Sequence, residues 1–126
     1  MKSMLLFAAS LAAFSGFSQD QIMDKVIRGF ETANVSQIEA QLLSEVDFTL
    51  DDFEDFCTKP QVSSRLKDFF ATHKPLSYAS KHSGNGGANS VFQIGELNTS
   101  KGTFRLTIYL EKKGSAYKVS QLMIEG

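Results

Sequence analysis

An α+β fold, an antiparallel sheet carrying its helices on one side, is predicted by three features of this sequence. Apolar residues recur at helical period in two stretches, around residues 20–33 and 58–73. From Leu76 onward the period drops to two, in successive runs separated by turn residues. The resulting order, α-α-β-β-α-β-β-β-β, groups helices and strands instead of alternating them, which favours an antiparallel sheet over βαβ units.

Residues 1–18 stand apart from this pattern. Lys2 supplies a short positive start, Met4 to Phe14 is an apolar run broken by Ser10, and Gly16 and Ser18 are small residues placed for cleavage before Gln19. That is the layout of a secretory signal peptide, and the run is shorter than the ~20 apolar residues of a membrane span. With no Cys at the cleavage point, lipid attachment is not expected there. The mature chain, 19–126, reads as one exported domain, periplasmic or secreted, with no membrane span after cleavage. Eight of the 11 Phe lie beyond the leader, once Phe7, Phe14 and Phe17 are set aside. They give a small domain a large aromatic supply for its core.

The elements follow in order. Asp20 is placed to cap a first helix whose apolar positions are Ile22, Met23, Val26, Ile27, Phe30 and Ala33. Asn34 ends it, and Ser36 with Glu39 forms a capping-box pattern opening a short second helix over Ile38, Leu42 and Leu43. Val46, Phe48 and Leu50 alternate with Asp47 and Thr49 as a half-buried strand, and a shorter strand near 53–57 follows the Asp51-Asp52 turn. Pro60 suits the first turn of the third helix, where a missing N–H costs nothing, with Thr58 favoured as its cap by Gln61. Val62, Leu66, Phe69, Phe70 and His73 share its inner face, and Pro75 stops it. Residues 76–82 and 89–97 are predicted strands, joined by Ser83-Gly-Asn-Gly-Gly87 as a flexible turn.

The last quarter of the chain is a long hairpin, turning at Lys112-Lys-Gly-Ser115. Phe104, Leu106, Ile108 and Leu110 take one face, opposite Thr103, Arg105, Thr107 and Tyr109. In the final strand Tyr117 and Val119 are in phase, but Leu122 and Ile124 are not. That switch predicts a bulge near Ser120–Gln121 or a strand buried on both faces.

This order resembles the nuclear-transport-factor-2-like (cystatin-like cone) superfamily, in which a curved antiparallel sheet wraps a long helix. Gly-Thr-Phe-Arg (102–105), Tyr-Leu-Glu-Lys-Lys-Gly (109–114), Tyr117 and Val-Ser-Gln-Leu-Met-Ile-Glu (119–125) are similar to a more specific group within it. So are Asp-Phe-Thr-Leu (47–50) and the Phe pair at 69–70. The group is a family of small exported bacterial proteins, a domain of unknown function typical of Bacteroidota. The resemblance covers essentially all of 20–125. It implies a Gram-negative envelope setting and carries no catalytic residue with it, since one fold hosts many functions.

Composition excludes several function classes. The mature chain holds 12 basic and 14 acidic residues without a basic stripe. No nucleic acid partner is expected, because phosphate binding needs clustered Lys and Arg. The acidic run Asp47, Asp51, Asp52, Glu54, Asp55 is interleaved with Phe and Leu and lacks the spacing and Gly of a calcium loop. His73 and His82 lie on different elements, so no metal site is expected. Cys57, the single cysteine, reads as a small buried hydrophobe, and no disulfide within the chain is possible. No cofactor and no catalytic residue are assigned.

What remains is a non-enzymatic binding or interaction module. Phe30, Phe69, Phe70, Tyr78, His82 and Phe104 are the candidates for lining a small-ligand cavity. Arg105, Thr107 and Tyr109 are the candidates for an interface, with a protein partner or a homodimeric envelope adaptor as the alternative reading. An isomerase-like enzyme ranks behind both, with Tyr78 and the phase-matched His82 its nearest proton-transfer pair.

Overall fold

A computed structural model describes residues 18–126, so the expected leader lies outside the described residues except for Ser18. Helix α1 (Gln19–Glu31) starts two residues earlier than a cap at Asp20 implies. Ser18 is its cap: the Ser18 hydroxyl accepts from the Gln21 N–H at 3.3 Å, and the Gln21 side chain accepts from the Ser18 N–H at 2.8 Å. This reciprocal box satisfies two donors that Asp20 would have to share. Ile22, Met23, Val26 and Phe30 are buried along the predicted stripe.

Helix α2 (Val35–Glu39) is a single turn, and its cap is Asn34 in place of Ser36. Ala33 takes a left-handed φ of 54°, which swings Asn34 round so that its carboxamide accepts from the Gln37 N–H at 3.1 Å. The helix therefore ends before Leu42 and Leu43. Both belong to strand β1 (Leu42–Leu50), where Leu42 pairs with Val119. Tertiary pairing has overridden the helical spacing.

Strand β2 (Phe53–Thr58) returns antiparallel to β1 and leads into helix α3 (Lys59–Thr72). As the sequence implies, Pro60 sits in its first turn and the Gln61 side chain accepts from the Thr58 N–H at 2.8 Å. Strands β3 (Pro75–Gly87), β4 (Ser90–Thr99), β5 (Gly102–Lys113) and β6 (Ala116–Glu125) then form the meander. The six-stranded sheet has the order β2-β1-β6-β5-β4-β3 and is antiparallel except for the β1–β6 pair. It is curved and unclosed, and β2 and β3 are its edges.

Two local features depart from or confirm the sequence pattern. Ser83–Gly87 is the outer half of β3, not a turn; Gly87 pairs with Ser90 and the chain reverses at Ala88-Asn89. The bulge expected in the last strand is present, since Tyr109 pairs with Gln121 and Leu110 with Val119, leaving Ser120 unpaired. It returns Val119, Leu122 and Ile124 to the inner face, all fully buried.

The core lies between that inner face and the three helices. Val26, Phe30, Ile38, Phe48, Leu66, Leu97, Leu106 and Ile108 are fully inaccessible. Burying a side chain of this size is worth about 1.5–3 kcal/mol. No helix among the described residues is long and apolar enough to cross a membrane.

Candidate interaction face

The aromatic residues expected to line a cavity are packed against one another instead. Phe69 meets Phe70 at 5.6 Å and Phe104 at 5.2 Å, both edge to face, while Phe30 meets Phe70 at 5.9 Å. His73 stacks on Phe69 at 4.3 Å, and its Nδ1 lies 3.0 Å from the Phe69 carbonyl at the end of α3. Phe30, Phe69 and Phe104 are buried and Phe70 is partly so. Edge-to-face pairs of this kind add to core cohesion. These rings pack against one another at this end of the cone, and Phe69 and His73 also border an open cleft of about 280 Å³ beside Leu50, Asp51, Arg65 and Asp68.

Tyr78 and His82 are not a pair. Between Ser80 and His82 the β3–β4 register shifts, so that Ser80 pairs with Gly95 but His82 pairs with Ile94. An extra residue moves every later side chain to the opposite face. Tyr78 points to the helix side, where its hydroxyl donates to Gln93 Oε1 at 2.7 Å. Its pKa is pushed up to about 12, chiefly by burial and then by the Glu31 carboxylate. His82 is exposed on the far side. The bulge is invisible to a period-two reading because no Gly or Pro marks it. Cys57 is buried, and burial first, then Asp55, raises its thiol pKa. It is held as a protonated thiol, as the sequence reading has it.

The outer face of the sheet is organised in rows that run across the strands. One row is Glu54, Thr49, Met123, Thr107, Ile94 and His82; the next is Phe56, Asp47, Gln121, Tyr109, Phe92 and Gly84. Apolar side chains cluster toward the β6–β4 side, where Met123, Ile94, Tyr109 and Phe92 are neighbours interspersed with Thr107 and Gln121. The Phe92 and Tyr109 rings stack at 5.4 Å, and Phe56, at 65 % exposure, stands at the β2 edge beyond Asp47. A β-carbon on Gly86 would stand 3.0 Å from the Tyr109 ring, so this glycine lets the ring lie flat over β3.

Charged rows flank the band on both sides. Arg105 lies 3.8 Å from Glu125, Lys81 3.8 Å from Glu96, and Lys113 3.0 Å from Glu111. Of the three interface candidates, Arg105 is exposed at the border and Tyr109 is half-buried in the apolar band. Thr107 is only 7 % exposed. It is flanked in register by Met123 and Ile94, which present the surface in its place. The residues that sequence reasoning missed are Phe56, Phe92, Ile94 and Met123, whose shared face follows only from strand order and register.

Among the described residues no group of three or more His, Cys, Asp or Glu could hold a metal ion. No curated protein matches the chain. Solved structures do. A DUF4783 family protein from Bacteroides uniformis superposes with a TM-score of 0.75 at 27 % identity, covering 81 % of this chain and 94 % of that one. One from Bacteroides ovatus gives 0.75 at 24 %, covering 80 % and 91 %. An NTF2-like protein of unknown function from Cytophaga hutchinsonii gives 0.64 at 13 %, covering 86 % and 89 %, and speaks to the fold alone. Residues 23–125 match the family described as a domain of unknown function, DUF4783. The helix-wrapped sheet, the family match and these neighbours agree: the chain belongs to the DUF4783 family and has the nuclear-transport-factor-2-like fold.

Proposed function

We propose that this protein is a non-enzymatic interaction module that works after export, and that its working surface is the outer face of the sheet. The observation that carries the reading is the layout of that face, an apolar and aromatic band bordered by charged rows. A dry centre with a polar rim is the anatomy of protein interfaces. An uncovered band of this kind on an exported domain is exposed apolar surface that association would bury. Export rests on the leader pattern of residues 1–18.

A second copy of the chain is the proposed occupant. The border charges are paired within the chain, and the carboxylates of the rows outside those pairs, Asp47 and Glu54, lie toward the β1–β2 edge. Away from that edge the face can meet its own copy about a two-fold axis, as closed homodimers do. Six strands at ~4.8 Å spacing make it about 24 Å wide.

Sedimentation across a concentration series tests this. The wild type is expected to dimerise, and Met123→Lys, which puts a charge in the band centre, is expected to be a monomer with unchanged circular dichroism. A wild type that stays monomeric at every concentration overturns the second-copy reading.

A further inference from the structure

A cleft of about 220 Å³ opens between the first turn of α1 and the outer half of the β3–β4 hairpin, bordered by Gln19, Asp20, Met23, Ser83, Asn85 and Gln93. It is separate from the packed Phe30–Phe104 cluster. Its polar side chains are carboxamides, a hydroxyl and one carboxylate, and no Lys, Arg or His borders it. A carboxamide offers an acceptor beside donors, and a carboxylate offers two acceptors. That inventory suits neighbouring hydroxyl groups, each both donor and acceptor, and in the full chain gives an anion no counter-charge.

One of these groups is held in place from behind. Gln93 Oε1 accepts from the Tyr78 hydroxyl at 2.7 Å, which leaves its NH2 as the free end. Burial and the Glu31 carboxylate keep the phenol protonated well above neutral pH, so the donor sense does not change. Tyr78 fits only because position 95 is glycine: a β-carbon there would collide with the phenol oxygen. The β4 backbone is thus built to admit a ring whose hydroxyl orients an amide, and fixing a binding group beforehand lowers the ordering cost of a ligand. Met23 adds an apolar, adaptable surface. The volume lies below the ~300–1,000 Å³ of drug-sized pockets, which limits the occupant to about one ring.

We infer that this cleft binds a neutral sugar or polyol, its vicinal hydroxyls held by Gln93, Asn85 and Asp20. The cleft meets the outer face at Gly84 and Phe92, but the groups proposed to hold the ligand lie outside that face, so the binding titration and the sedimentation test can fail separately.

The test is a titration of the full chain followed by amide NMR, with glucose and inositol as neutral probes and glucose 6-phosphate as the anionic counterpart. Expected are saturable shifts at residues 19–23, 83–85 and 91–93, with millimolar Kd, and weaker binding of the phosphate. Asp20→Ala and Asn85→Ala change exposed side chains and leave the fold spectra intact; each is expected to weaken binding about tenfold. Tyr78→Phe, which leaves the bordering residues themselves unchanged but removes the hydrogen bond that orients the Gln93 amide, is expected to weaken it a few-fold. Absence of saturable shifts, shifts centred elsewhere, tighter binding of the phosphate, or unchanged affinity in the Asp20 and Asn85 variants would each overturn the assignment.

Discussion

The two faces of the sheet are made from the same strands and obey opposite rules. On the inner face, Phe48, Leu106, Ile108, Leu122 and Ile124 are fully buried under helices. On the outer face, residues one position away in the chain (Thr49, Thr107, Tyr109, Met123) lie where no described element packs over them. Alternation alone accounts for the first face. The second leaves Ile94, Phe92, Tyr109 and Met123 partly exposed and Phe56 exposed, the surface that the proposed association would bury. The contrast predicts that inner-face changes act on folding, whereas outer-face changes act on assembly.

The largest effect is expected from Phe48→Ala, because Phe48 is fully buried, with its ring 6.3 Å from that of Phe53. Truncating a buried Phe costs about 3–5 kcal/mol through lost burial and the cavity left behind. Urea unfolding at a fixed protein concentration should show a loss of this size. Met123→Ala, in the outer band, should cost under about 1.5 kcal/mol in a monomeric background. Equal losses in the two variants would remove the contrast.

Gly95→Ala is next. Its β-carbon would meet the Tyr78 ring and hydroxyl, and forcing extra volume into a packed site costs about 1–3 kcal/mol. In the Tyr78→Ala background the same substitution should be nearly neutral, since the obstructing ring is gone. A double-mutant cycle in urea measures that coupling; additive losses would mean that Tyr78 is not what position 95 accommodates.

How much of this was legible in the residues depends on whether a feature is local. Pro60 and Gln61 announce the start of α3, and the phase switch between Val119 and Leu122 announces the Ser120 bulge, because both signals sit within a few residues of their effect. Leu42 and Leu43 mislead for the opposite reason: helical spacing continues from Ile38, but pairing with Val119, distant in sequence, decides the strand. Ser83–Gly87 looks like a turn because its glycines permit one, whereas a glycine at position 86 serves the close approach of Tyr109. His82 changes face at a bulge with no residue signature. The outer face was visible through Arg105, Thr107 and Tyr109 alone, since Phe56, Phe92, Ile94 and Met123 join it only once the strand order is known.

A smaller effect, on the helix side of the sheet, depends on pH. The Tyr78 pKa is raised from its ordinary 10 to about 12, so between those values the folded chain keeps a proton that the unfolded chain has released. Stability is then full below pH 10 and declines as pH rises through 12, because the native state binds the extra proton. The loss should fall short of the ~1.4 kcal/mol per unit that the shift implies, since Tyr78 is only partly buried. Urea midpoints measured from pH 9 to 11 should decline less steeply in Tyr78→Phe. Parallel slopes in the two proteins would show that the phenol does not titrate in this way.

The smallest effect belongs to the border of the outer face, and it separates folding from assembly most cleanly. Arg105 and Glu125 are 3.8 Å apart, with the arginine side chain 63 % exposed. An exposed pair of this kind contributes about 0–1 kcal/mol, so Arg105→Ala should hardly move the urea midpoint of a monomeric background. In the proposed dimer the same deletion would leave Glu125 uncompensated at the rim, where like charges from two copies would approach. Dimer dissociation should therefore become more sensitive to low salt in the variant than in the wild type, because salt at about 0.1 M screens charge repulsion beyond ~10 Å and low salt does not. Sedimentation at low and moderate salt reads this directly. An unchanged salt dependence would place the charged rows outside the interface and shrink the contact to the band from Phe56 to Phe92.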